Sequence, residues 1–260
     1  MTDDDLKEDV VRAFILAISL EPFADKPGCT TRYVDSSPGT KLEYFIVGAT
    51  NSAWPLLSLV NRVLHERAQP DCVFDAAYLA QLASPRNRGG GKLNYAQILM
   101  LLPIILAQCL LHLEGRWPCE ISELFLRVSQ AMRATTRLDV GQLQKLVDLS
   151  TKLSEAHHGR LGTERRQLRP HFSGENILEA VKAEEFSHTM MATEISDGYP
   201  VCQRVYAALS STNEGGLIRK SEAVYKDFLP ELKRPDITAD CLVVAFYLML
   251  VLDKRAVHFP

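Results

Sequence analysis

The residues of this chain that could do chemistry gather in three irregular segments. Residues 25–35 hold Lys26-Pro27-Gly28, Arg32 and Asp35; residues 86–94 hold Arg88, Gly89-Gly90-Gly91, Lys92 and Asn94; residues 157–169 hold Arg160 at the head of a strongly basic run. Each joins glycine to cationic side chains, a combination that binds phosphate through backbone N–H groups and point charges. Taken singly, each has a plainer reading. Lys26-Pro27-Gly28 makes an ordinary turn, since Pro presets φ and Gly frees it. The basic run is also what a solvated surface loop looks like. Gly89 to Lys92 lacks P-loop spacing, has Leu93 where a P-loop has Ser or Thr, and follows no strand. His157-His158 does not make a metal site, because adjacent histidines point to different faces of a helix and no third ligand lies close in sequence.

These segments need elements to position them, and the hydropathy pattern is helical throughout. The glycine loop feeds residues 96–113, which are apolar on nearly every side, the mark of a buried central helix with a polar mouth at its N-terminus. Between Gln97 and Gln108 only ten residues are uninterruptedly apolar, with Pro103 among them. A membrane span needs about 20, so a core helix kinked at Pro103 is expected. Helical spacing also marks residues 5–20, 42–66 with Pro55 kinking or splitting it, 72–83, 121–134, 140–156, 201–209, 221–229 and 238–252. Ser173 reads as the cap of a further helix reaching about residue 196. No β-alternation of any length appears. The expectation is a single all-α domain over residues 1–260, with nine or ten helices around the central one.

Composition narrows the partners. With 47% hydrophobic residues in 260, the chain can bury a substantial core, and a formal net charge of −3 gives no general drive toward nucleic acid or anionic membrane. A small-molecule partner is expected. The six cysteines are scattered without a CxxC pair, which suggests neither a zinc site nor a disulfide framework. The acidic Met-Thr-Asp-Asp-Asp start lacks the basic-then-apolar order of a signal peptide, so a cytoplasmic location is expected.

Several segments, in collinear order, carry a resemblance. Lys26-Pro27-Gly28, then Leu42-Glu43-Tyr44-Phe45 leading into a helix of small residues, then Gly89-Gly90-Gly91-Lys92-Leu93-Asn94 opening an apolar helix with Leu102-Pro103, resembles the triphosphoribosyl-dephospho-CoA synthase family. Downstream, an acidic helix start at Asp139, the turn Gly159-Arg160-Leu161-Gly162, Ile177-Leu178-Glu179-Ala180 and Asp197-Gly198-Tyr199 continue the likeness, which covers roughly residues 10–210.

The resemblance implies an all-helical fold and transfer of the triphosphoribosyl group of ATP to a ribose hydroxyl of 3'-dephospho-CoA, with release of adenine, in prosthetic-group synthesis. ATP is then a substrate and Mg2+ the expected cofactor. It implies Lys26, Gly28, Arg32, Arg88, Gly90, Gly91, Lys92, Asn94 and Arg160 for the nucleotide, Asp35, Asp139 and Asp197 as catalytic carboxylates, and Asp35 with Asp197 for the metal. Two other readings accompany it: a diverged member using another acceptor, such as a pterin one-carbon carrier, and a non-catalytic helical interaction protein. The chain departs from the family where glycine-asparagine-threonine-asparagine becomes Gly91-Lys92-Leu93-Asn94, in the basic residues 164–169, and in ending soon after Asp253-Lys254-Arg255.

Overall fold

The computed structural model describes residues 1–35, 39–160, 171–182, 189–211 and 215–253. Among them are eleven α-helices and no strand: α1 (Asp3–Leu20), α2 (Leu42–Glu66), α3 (Phe74–Ala83), α4 (Tyr95–Leu113), α5 (Ile121–Arg133), α6 (Arg137–Arg160), α7 (Ile177–Val181), α8 (Met190–Asp197), α9 (Pro200–Ser211), α10 (Leu217–Leu232) and α11 (Pro235–Leu252). A single 3-10 turn, Glu21–Phe23, follows α1.

A helix apolar on every side cannot face water, and α4 does not. Its residues 98–102 and 104–107 are at most 1% exposed, enclosed by α1, α2, α3, α5, α8 and α11. The second apolar helix, α11, is buried along most of its length and packs on α1, α4, α9 and α10. By length and composition both could cross a membrane, but 83% of the apolar window of α4 and 67% of that of α11 are covered by the rest of the fold. Two buried tyrosines tie polar groups inside this core, although the Gln108 Nε2 and both Gln81 amide atoms are buried without a hydrogen bond. Tyr199 Oη donates to Met100 O at 2.8 Å, and Tyr247 Oη donates to Gln108 Oε1 at 2.6 Å.

Helix ends follow their caps, and here the structure departs from the expected boundaries. Thr2 and Asp5 close a capping box on α1. Both α2 and α4 run unbroken through their prolines, Pro55 and Pro103. Among the described residues, the expected helix from Ser173 to about residue 196 is replaced by two separate helices, with residues 183–188 outside those described. Gly174 sits at φ +140, which keeps this stretch out of a helix; Asn176 caps α7, which ends at Val181, and Thr189 caps α8. The last helix starts earlier than its apolar run, with Pro235 at its first position, where a missing N–H costs nothing.

Asp139, expected near the chemistry, is a long-range cap. Its Oδ1 accepts the N–H groups of Val73 at 2.7 Å and Phe74 at 2.9 Å, and its Oδ2 accepts that of Thr136 at 3.0 Å. The carboxylate is 1% exposed and ties the start of α3 to the start of α6. Asp139→Ala therefore strands buried N–H donors and should lower unfolding free energy by on the order of 3 kcal/mol. The exposed Asp197→Ala should change it by about 0.5 kcal/mol or less. Urea denaturation of both variants checks this; equal losses would refute the capping role.

Candidate functional site

The Lys26-Pro27-Gly28 turn is built around a buried ion pair. Lys26 is 1% exposed and Glu21 3%; Lys26 Nζ lies 3.0 Å from Glu21 Oε1 and also donates to the carbonyl oxygens of Glu21 and Ala24. Burial pushes the Glu21 carboxyl upward, and the Lys26 ammonium opposes that. The turn is clamped against the C-terminal helices. Tyr225 Oη of α10 donates to Pro27 O at 2.8 Å, and Cys29 Sγ donates to Pro235 O at 3.3 Å. Gly28 is required twice over, by a φ of +86 and by Pro235 Cγ lying 2.9 Å from where a Cβ would stand.

This clamp sets the first turns of α11 beside the mouth of α4 and encloses a cavity of about 140 Å³. Its polar wall is Glu21, Gln97, Asp236 and Asp240; Gly28, Cys29 and Thr30 form one edge, and Phe45 and Ala239 the apolar side. Asp236 and Asp240 stand four residues apart, so one face of α11 presents both. Gln97 Nε2 donates to Asp240 Oδ1 at 2.5 Å. Burial, then the charges of Glu21 and Asp236, push the Asp240 carboxyl well above its ordinary range, with Lys92 and Arg234 opposing. Burial also acts to raise Asp236, but a bidentate Arg234, at 2.8 and 3.1 Å, overcomes it and holds this carboxyl low. Burial pushes the Cys29 thiol up to about 12, so it stays protonated.

The glycine loop leads into α4 just ahead of Gln97. Arg88 is its internal frame. Its guanidinium donates to Ser84 O at 2.7 Å, Ser84 Oγ at 2.6 Å, Gly89 O at 2.6 Å, Leu93 O at 3.3 Å and Gly91 O at 3.4 Å. Burial without a carboxylate partner lowers its pKa to about 10. Gly91, at φ +66, leaves room for His157 of α6, whose Cβ is 2.8 Å from where a Cβ on Gly91 would be; Gly90 packs on Leu93 and Tyr44. Asn94 is 2% exposed, donates Nδ2 to Phe45 O at 3.2 Å, and holds its buried Oδ1 without a hydrogen bond. Lys92 differs from its neighbours. Its Nζ lies 5.9 Å from the centre of the Tyr95 ring and makes no hydrogen bond or ion pair among the described residues. Burial lowers its pKa, while Asp236 and Asp240 pull it back up.

Of the expected residues, Gly28 lines the cavity, Lys26 anchors the turn from inside, and Lys92 feels the charges of Asp236 and Asp240 from a loop shaped by Arg88, Gly90, Gly91 and Asn94. It leaves other expected residues elsewhere. Asp139 caps α3. Asp197 is exposed at the end of α8, where it accepts from Ser196 Oγ at 2.7 Å and is followed by a glycine beside Ser129 of α5. Arg32 is exposed, its guanidinium 4.6 Å from the Tyr33 ring centre, and Asp35 is exposed nearby. The expected Asp35–Asp197 metal pair does not form the cavity wall. Arg160 ends α6, and its side chain, with the basic residues 161–170, lies outside the described residues.

Glu21, Gln97, Asp236 and Asp240 were not marked by sequence reasoning, although two acids at i, i+4 opening an apolar helix were a signal. Together they offer only oxygen donors on the side chains able to ionise at neutral pH, which suits a hard divalent ion such as Mg2+. A second cluster is softer. Ligand atoms of Glu194, Cys202 and Cys241 all lie within 4.8 Å of one another. Glu194, however, caps α9 by accepting the N–H groups of Val201 at 3.0 Å and Cys202 at 2.9 Å, and burial holds the Cys202 thiol protonated.

The raised Asp240 carboxyl makes stability fall with pH. The folded state retains this proton above the ordinary carboxylate value of 3.8, where the unfolded chain releases it, so folding is progressively disfavoured until pH passes the raised value. Asp240→Asn keeps the acceptor for Gln97 and removes the titration. In the presence of a chelator its melting temperature should exceed that of the parent chain at pH 7, and the gap should close toward pH 4. Parallel melting curves across that range would contradict the assignment. No family model, curated protein or solved structure matches this chain.

Proposed function

We propose that this chain is a magnesium-dependent nucleotide transferase, moving the triphosphoribosyl group of ATP to a ribose hydroxyl of 3'-dephospho-CoA with release of adenine. The observation that carries the reading is a carboxylate-lined cavity edged by the Lys26-Pro27-Gly28 turn, whose Asp236 and Asp240 act on the charge of Lys92; this turn and the Lys92 loop also bear the family resemblance. Lys92 holds phosphate as a point charge, with no hydrogen bond or ion pair to the described residues. Asp236 and Asp240 are the residues to hold magnesium, which when bound supplies positive charge to the phosphates. Phe45 and Ala239 keep one wall apolar and limit water at the reacting sugar.

The chemistry asked of the site is a displacement at the ribose anomeric carbon. The acceptor oxygen bonds to that carbon as its bond to adenine breaks. The hydroxyl proton passes to a cavity carboxylate, and adenine leaves with the bonding electron pair and takes a proton from solvent. The reading places the protein in the cytoplasm, acting on small nucleotides and not on nucleic acid or membrane.

Incubating the full chain with ATP, Mg2+ and dephospho-CoA should release free adenine, read by chromatography. Lys92→Ala should slow that release by about 100-fold or more. Nucleotide binding by calorimetry without adenine release from dephospho-CoA would move the acceptor to another cofactor pathway, such as that of a pterin one-carbon carrier. Absence of any nucleotide binding would remove the enzyme reading in favour of a helical interaction protein.

A further inference from the structure

We infer that the second half of α6 is a hinged cover over the glycine loop, rooted at Asp139 and opening along its seam with α3. The inference goes beyond the proposed reaction, and its test involves no nucleotide.

The direction of α6 sets the hinge. Asp139, in its first turn, accepts the N–H groups of Val73 and Phe74 at the start of α3, at 2.7 and 2.9 Å. His157, near its other end, lies against the loop that follows α3. Its Cβ is 2.8 Å from where a Cβ on Gly91 would stand, and Leu153 O is 3.3 Å from the same point. The two helices therefore run side by side in one direction. At one end they are tied by charge-assisted hydrogen bonds, and at the other α6 rests on a glycine.

Between those ends the seam changes character. The first half of α6 buries Val140, Leu143, Leu146 and Val147; the second buries Ser150, Thr151 and Ser154. Thr151 Oγ1 donates back to Val147 O at 3.0 Å, and Ser154 Oγ lies 3.2 Å from His158 Nδ1, so these bonds belong to α6 and travel with it. On α3, the carbonyl of Ala80 accepts from Ser52 of α2 at 3.1 Å. Gln81, about 100° further round the helix, instead shares the face of Phe74 two turns earlier. It is fully buried, and neither of its amide atoms is hydrogen-bonded. Where the loop enters α4, Asn94 Oδ1 is also buried without a hydrogen bond. An unpaired buried amide carries a standing cost that water removes, and hydroxyls lose little on meeting water. Opening the polar half of the seam is therefore cheap, whereas opening the apolar half exposes a row of core side chains. Lifting the cover takes His157 off Gly91 and releases the loop that carries Lys92, with Asp139 still paired as the pivot.

Thiol trapping reads the motion. Ser154→Cys puts a thiol beneath the cover, and the fully buried native Cys109 of α4 is the internal control. The full chain is treated with N-ethylmaleimide and the modified sites are counted over time by peptide mass spectrometry. The introduced thiol should react at least about 100-fold faster than Cys109, at a rate that low urea hardly changes. Gln81→Met, which keeps the length and removes the unpaired amide, should slow that reaction by about 10-fold. Gly91→Ala, which drives a Cβ into His157 from a left-handed backbone, should speed it. Ser150→Cys, one turn nearer the root, should react more slowly than Ser154→Cys. Reaction at the rate of Cys109, or a rate unmoved by Gln81→Met, would overturn the cover. Equal rates at 150 and 154 would show the helix melting in place of turning on a hinge, and would overturn it too.

Discussion

The enclosure of α4 is the constraint on which the rest of the structure depends. Each buried Leu or Ile contributes about 1.5–3 kcal/mol, against a net stability of about 5–15 kcal/mol for a whole domain. Leaving even one face of this helix to solvent would remove the margin. Six helices must therefore close around it, and the few polar contacts inside it are made with buried tyrosines of those helices or their caps. Gln97 is the first polar side chain inside the N-terminal end. Because α11 is apolar along most of its length and must share the core, its own polar start arrives at the same place. The meeting of Gln97 and Asp240 follows from two apolar helices having nowhere else to put their polar first turns.

Buried charge explains why the cations divide as they do. Taking Lys26 and Glu21 out of water carries a desolvation cost of several kcal/mol per ion, offset only while the pair and its carbonyl partners stay together. Lys26 is consequently held in place and shapes the turn. Arg88 is in a similar position without a carboxylate: carbonyl and hydroxyl oxygens of its own loop accept all its hydrogen bonds, and its lowered pKa records the burial. Two cations that by sequence look like phosphate binders are thus the internal frame of two loops. Lys92, which departs most from the resembled family, is unlike them in making no hydrogen bond or ion pair to the described residues.

Much of the fold was legible from periodicity because helical spacing is a local property. The central helix, the first two helices and the all-α class needed only the pattern of apolar residues. The starts of the helices at Ile177 and Met190 were not legible, since they depend on a positive φ at Gly174 and on caps at Asn176 and Thr189 that compete with Ser173. The cavity was legible only in part. Lys26-Pro27-Gly28 and the glycine loop are contiguous signals, whereas Glu21, Gln97 and Asp240 are brought together by packing across the whole chain, and no spacing announces that. Asp139 shows the converse. An acid at a helix start looks like a favourable macrodipole charge or a catalytic carboxylate, yet its partners are the N–H groups of a helix more than sixty residues earlier.

The carboxyl of Asp240 is where these arguments converge. Its position just before the buried run of α11 denies it full hydration, and its hydrogen-bond partner is a neutral amide that orients it without discharging it. Lys92 and Arg234 help from the rim, but Glu21 and Asp236 oppose them. A carboxyl in that balance is comfortable at neutral pH only with a proton or beside a cation. The packing that makes α11 a core helix therefore also makes this cavity responsive to charge.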